Sequence, residues 1–198
     1  MKDRYRSKLL FSGLALLLIV TAEGSLMDEL GIIRATEPCN KWNVSFNWSE
    51  MDDYVSSISH ADSASGKATV ATDTLTLASA SDKTKVLKVS ITMYSRSDAS
   101  LANRSSMAAL ANTTLAKSKV CGEVNLMDRE IDGQAGVFAS GLKCPLNEPV
   151  YVAVYPVEYH RDRPGGVLAS NALGLILSTY DQKATERFIN SIRIEQVK

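Results

Sequence analysis

Cysteine is the residue type that most limits the chemistry open to this 198-residue chain, which carries three: Cys39, Cys121 and Cys144. In an oxidising compartment an odd count implies one bridge and one remaining thiol. Asp132-Gly133 selects the pair, because both central positions of a type I′ hairpin turn need φ > 0 and Asp-Gly meets that demand. Counting outward from this turn brings Cys121 opposite Cys144. Facing Cα atoms across a strand pair lie within the span a disulfide tolerates. A β-bulge near Gly136 or Gly141 would shift that register, and Gly122 supplies freedom beside Cys121. Cys39 is left over, to be free, buried, or the link of a dimer. A cysteine nucleophile would need a positioned histidine, and the chain has only His60 and His160, both in polar stretches that read as loops.

His160 has a second possible use. Glu158, His160 and Asp162 alternate, so an extended backbone would bring all three to one face, where they could ligate a metal. The competing reading is a polar loop after a strand. Arg161 and Arg163, before Pro164-Gly165-Gly166, could grip an anion, or simply be solvated charges. With Tyr159 and His160 they make the candidate ligand-binding set. Four N-x-S/T sequons begin at Asn43, Asn47, Asn103 and Asn112. Each is a glycosylation candidate, Asn43 and Asn47 on the polar face of an expected strand. The sequence holds no G-x-S-x-G, H-E-x-x-H, P-loop or C-x-x-C pattern, and no cofactor is expected.

Charge excludes one partner class. Lys and Arg balance Asp and Glu, 22 against 22. No basic run follows Lys8, so the electrostatic footprint of a nucleic-acid binder is missing. The basic residues Lys2, Arg4, Arg6 and Lys8 precede an uncharged stretch, Leu9 to Ala22. That is the pattern of a signal peptide, shorter than the roughly 18–20 apolar residues of a spanning helix. Residues 1–24 are therefore expected to be a signal peptide or an uncleaved anchor, with membrane contact only through residues 9–22 if uncleaved. The chain is expected to be secreted or anchored on the extracytoplasmic side. Residues 25–40 read as a linker and 41–198 as a single α+β domain.

Hydrophobic periodicity supplies the elements that hold these residues in place. Trp42, Val44, Phe46 and Trp48 alternate with polar residues, which makes a strand with one buried face. Residues 59–67 read as a loop, Ala68 to Leu77 and Lys85 to Tyr94 as strands. Between Asp98 and Lys117 the apolar residues recur at threes and fours, a helix with Asp98 or Ser100 as its cap. Val120 to Leu142 forms the Asp132-Gly133 hairpin. Val150 to Tyr159 and Ala172 to Ser178 are two more strands, the second apolar enough to be central in a sheet. Tyr151, Tyr155 and Tyr159 share a face, expected under a helix or exposed as a recognition surface. A closing helix spans Asp181 to Ile194. This order predicts a mainly antiparallel, twisted sheet with helices packed on it.

The succession from Trp42 to Trp48, through the helix near Met107, to IDGQAGVFASG and STYDQKATERFINSIRI, resembles PsbP-like α/β sandwich domains. Within these it is similar to exported proteins of methanogenic archaea. The resemblance covers residues 41–195 and implies a fold, not a catalytic activity, since one fold hosts many functions. The leading expectation is a non-enzymatic extracytoplasmic module. It would bind a partner protein, glycan or small ligand through one sheet face or the loop at 159–166. The alternatives are a small hydrolytic or metal-dependent enzyme around Glu158, His160 and Asp162, and a structural subunit of a surface assembly, dimeric through Cys39.

Overall fold

Alternation of apolar and polar residues decides which way each strand faces, and here it builds two sheets. The computed structural model describes residues 31–49, 53–65, 68–94, 102–163 and 166–197. The expected export segment, residues 1–24, lies outside the described residues. In chain order the elements are β1 (Ile32–Cys39), β2 (Trp42–Ser49), β3 (Tyr54–Ser65), β4 (Ala68–Ser79), β5 (Val86–Tyr94) and α1 (Arg104–Lys117). There follow β6 (Val120–Ile131), β7 (Gln134–Lys143), β8 (Glu148–Arg163), β9 (Gly166–Ser178), α2 (Gln182–Ser191) and β10 (Arg193–Gln196). One sheet has the order β1-β2-β10, the other β3-β4-β5-β9-β8-β7-β6. Every pairing is antiparallel. The α+β class and the dominance of antiparallel sheet agree with expectation, and the apolar β9 is the middle strand of its sheet.

The small sheet and α2 cover one face of the large sheet. Trp42, Val44, Phe46 and Trp48 of β2 point into this layer, against Leu75 and Leu77 of β4 and Leu87, Val89 and Ile91 of β5. Aromatic packing ties the small sheet to α2 and to the segment before it, with Phe46 and Phe188 at 4.8 Å between ring centroids and Trp48 edge-on to Tyr180 at 5.2 Å. Such pairs add about 0.5–1.5 kcal/mol each to the area they bury. The other face of the large sheet carries α1. Its Met107, Ala111 and Leu115 pack on Val137, Ala139, Val150, Val152 and Val154.

The tyrosine row of β8 faces the first layer. Tyr155 is fully buried, and Tyr151 and Tyr159 are half-buried against the same core. Gly174 lies opposite Tyr155 in the pairing of β8 with β9. A Cβ there would come within 2.9 Å of the Tyr155 ring, so the ring takes the space the glycine leaves.

Five boundaries differ from the sequence expectation. The presumed linker at 25–40 carries β1 from Ile32 onward, because Ala35 and Cys39 have a partner surface in the core. The presumed loop at 59–67 belongs largely to β3, whose Ser and Ala residues carry no apolar alternation and are held by the ladder to β4. Within the presumed loop at 159–166, Tyr159 to Arg163 continue β8 and Gly166 begins β9, with Arg161 opposite Leu168 and Arg163 opposite Gly166. The described part of α1 starts at Arg104, capped by Asn103, whose Oδ1 accepts from the Ser106 N–H at 2.8 Å. Asp98 and Ser100 lie outside the described residues. The closing helix ends at Ser191 rather than Ile194, since Arg193 to Gln196 pair with β2 as β10.

Candidate functional site

Gly133 turns the hairpin of β6 and β7 as the sequence predicts, with φ of 52° at Asp132 and 71° at Gly133. The register then runs as counted from Ile131 opposite Gln134 to Asn125 opposite Ser140. Beyond Asn125 it shifts, and Cys121 falls opposite Leu142, not Cys144. The cause is a bulge around Gly122, whose φ of +84° only glycine adopts without strain. Its extra residues are on β6 and stand opposite Gly141 of β7, one of the two positions at which a bulge was expected to shift the register. Cys121 and Cys144 nevertheless lie at disulfide distance, Cα to Cα 5.9 Å, and form the one disulfide among the described residues. The bridge runs diagonally across the open end of the hairpin, and a loop of this length is stabilised by about 3 kcal/mol on the chain-entropy model.

Next to that bridge the sheet face opens into a groove of about 510 Å³ between the β6–β7 hairpin and α2. Its floor includes Phe138, Ser140 and Leu142 of β7 and Tyr151 of β8; Met127 and Asn125 enter from β6, Gln182 and Glu186 from α2. Phe138 and Tyr151 lie nearly parallel, 6.0 Å apart. The Arg129 guanidinium stands 5.3 Å over the Phe138 ring and donates to Asn190 Oδ1 at 2.6 Å, which ties β6 to α2. Gln182 donates to Glu186 at 2.8 Å. Burial pushes the Tyr151 hydroxyl pKa up, helped by the negative charges of Asp181 and Glu186. The groove therefore offers carboxylates, amides and a hydroxyl around a half-buried aromatic ring, all on regular elements.

A second polar cluster lies under the tip of the β1–β2 hairpin. Asp73 of β4 is completely buried. Its carboxylate accepts from Asn40 Nδ2 at 2.8 Å and Trp42 Nε1 at 3.2 Å, and Oδ1 lies 2.6 Å from His60 Nδ1. His60 Nε2 is 3.3 Å from Asp62. The hydrogen bond to Asp73, then that to Asp62, holds the imidazole above its ordinary pKa. Cys39, fully buried beside this cluster, has its thiol pushed up to about 11 by burial and then by the Asp73 charge. It is thus a poor nucleophile, and a link to another chain through it would require the core to open. The cluster fastens the small sheet to the large one. Sequence reading overlooked Asp73, although an acidic residue at the inward position of the alternating run Ala71, Asp73, Leu75, Leu77 is a usable signal.

The remaining predicted residues lie on β8, on β2 and on or beside α1. Tyr159 packs its ring 5.7 Å from Trp42, within the layer between the sheets. His160 is exposed, and its backbone N–H and C=O are both held by the Gln196 side chain at 2.9 Å. Glu158, His160 and Asp162 occupy alternate positions of β8, as expected; the Asp162 side chain lies outside those described, and no group of three or more metal-binding side chains occurs among the described residues. Arg161 and Arg163 have only their register positions. Asn43, Asn103 and Asn112 are exposed, while Asn47 is half-buried and its N–H donates to Ser191 Oγ. No helix among the described residues is long and apolar enough to cross a membrane. Comparison with known proteins adds no assignment: no family model matches the chain, and no curated protein does.

Proposed function

We propose that the chain is an exported, extracytoplasmic binding module that holds a short neutral glycan or a similarly polyhydroxylated ligand in the groove between the β6–β7 hairpin and α2. The observation that carries this reading is the convergence of Glu123, Asn125, Gln182 and Glu186 around Tyr151, in a groove next to a disulfide. Pockets recognise small ligands through a few such fixed polar groups against an apolar wall. Carboxylates accept hydroxyl protons in strong, charge-assisted bonds, and the two amides each donate and accept. Tyr151, with the exposed Met127 and Leu142, offers apolar surface to the C–H face of a sugar ring. Export is supported by the basic residues and apolar stretch before residue 25 and by a cysteine pair suited to an oxidising compartment. The resemblance to PsbP-like domains of exported proteins agrees with it.

The test is a panel of immobilised neutral oligosaccharides probed with the full-length, host-processed protein. Saturable binding is expected, weakened about tenfold or more by Glu186→Gln or Tyr151→Ala, since a hydrogen bond to a charged group contributes about 1.5–3 kcal/mol. Binding to no member of the panel, or equal binding by both variants, overturns the reading.

A further inference from the structure

Among the described residues the large sheet ends at β3, which pairs with β4 along its whole length and has no strand on its other side. The outer N–H and C=O groups of such a strand are a template for another strand. Edges are usually blunted with lysine, proline or a bulge; β3, YVSSISHADSAS, has none of these. Its only charged side chains are Asp62 and, when protonated, His60, which share one face and lie 3.3 Å apart within the chain.

We propose that this edge joins a second copy of the chain, β3 to β3 and antiparallel, with Ala61 on the two-fold axis, so that one sheet runs through both molecules. Charge selects the register. With Ala61 on the axis, His60 of each copy stands opposite the partner's Asp62, and the contact is made twice because the interface is isologous. Across the joined sheet the order then becomes Asp73, His60, the partner's Asp62, an alternation of sign. An axis at His60 or at Asp62 would set like groups face to face, which destabilises a strand pair. Axes at Ser59 or Ile58 leave His60 opposite uncharged residues. Alanine also permits the closest approach on the axis. A single strand-to-strand contact is a small interface, of the size found in weak and transient pairs. This inference is independent of the groove and its ligand.

The experiment uses the full-length, host-processed protein in sedimentation velocity from about a micromolar to about a millimolar, the range of weak association. A reversible dimer is expected. Ala61→Lys sets two lysines against each other on the axis and should weaken it about tenfold or more. Glu130→Lys, on the opposite edge and outside the groove, should leave it unchanged. Ala61→Cys should give a disulfide-linked dimer on a non-reducing gel, because only position 61 faces itself, whereas Val55→Cys should not. A monomer throughout the range, an unaffected Ala61→Lys dimer, or Val55→Cys cross-linking as readily as Ala61→Cys would each overturn the proposal. The last result, or capture by a different chain, would mean another register or occupant.

Discussion

The two edges of the large sheet have been treated in opposite ways. At β6 the ladder is broken by the Gly122 bulge and the end is fixed by the Cys121–Cys144 bridge. Glu123, Asp128 and Glu130 are exposed along it, and Arg104 of α1 reaches across to Asp128 at 2.6 Å. At β3 twelve residues run in one unbroken register, with Val55 and Ile58 exposed. A bulged, charged, covalently held edge resists strand addition and is free to frame a groove, whereas a smooth polar edge invites a neighbour. The difference teaches that the two proposed interaction surfaces would come from two kinds of edge chemistry on one scaffold.

Removing the covalent fixture should have the largest effect. Cys121→Ser together with Cys144→Ser is expected to cost about 3 kcal/mol, a fall in melting temperature of about 6–12 °C for a chain of this size. Amide exchange should quicken at β6 and not at β3. Equal loosening at both edges would show that the bridge does not distinguish them.

The corresponding fixture on the β3 side is Asp73. Asp73→Ala leaves the Trp42 and Asn40 donors without their acceptor, at an expected cost of about 2 kcal/mol, read as a lower melting temperature and faster exchange at the β1–β2 tip. A variant as stable as the parent would remove Asp73 from the account.

Between the two edges, Gly174→Ala should cost about 1–2 kcal/mol, because the new Cβ meets a fully buried tyrosine ring in a packed core. Chemical denaturation would measure it. A neutral result would mean that Tyr155 moves aside without loss.

The smallest expected effect is pH-dependent. His60 has its folded pKa raised, by Asp73 first and Asp62 second. Its contribution to stability is therefore fully present below the ordinary value of 6.5 and fades as pH rises through the higher folded value. The melting temperature of the parent should exceed that of His60→Gln most in mildly acidic buffer, and the gap should narrow on the alkaline side. A gap that widens with pH would reverse the assigned sign.

Much of this was legible in the sequence wherever one principle governed alone. The Trp42–Trp48 alternation, the Asp132-Gly133 turn, the stripe of the closing helix and the nearly all-apolar run Ala172 to Ser178 of β9 each follow from periodicity or turn geometry. The cysteine pair was found although the register behind it was not, because a diagonal pair in a bulged ladder and a facing pair in a regular one are both within reach of a disulfide. What escaped had no local signature. Nothing in Ser56 to Ser65 says strand until β4 provides the ladder. Ile32 to Cys39 reads as a linker until β2 pairs with it. The groove residues come from β6, β7, β8 and α2, so only the folded arrangement brings Glu123 to Glu186. The candidates around His160 were placed on one face by their alternation, and β8 carries Glu158, His160 and Asp162 at alternate positions.

The central claim is that the β6 side of the sheet is where ligand binds. Hydrogen exchange of the host-processed protein, with and without the tightest-binding oligosaccharide of the panel, tests it most directly. The account predicts slowed exchange from Asn125 to Arg129, from Phe138 to Leu142 and from Gln182 to Glu186, with Val157 to His160 unchanged. Slowed exchange at Val157 to His160, with the groove segments unaltered, would contradict it.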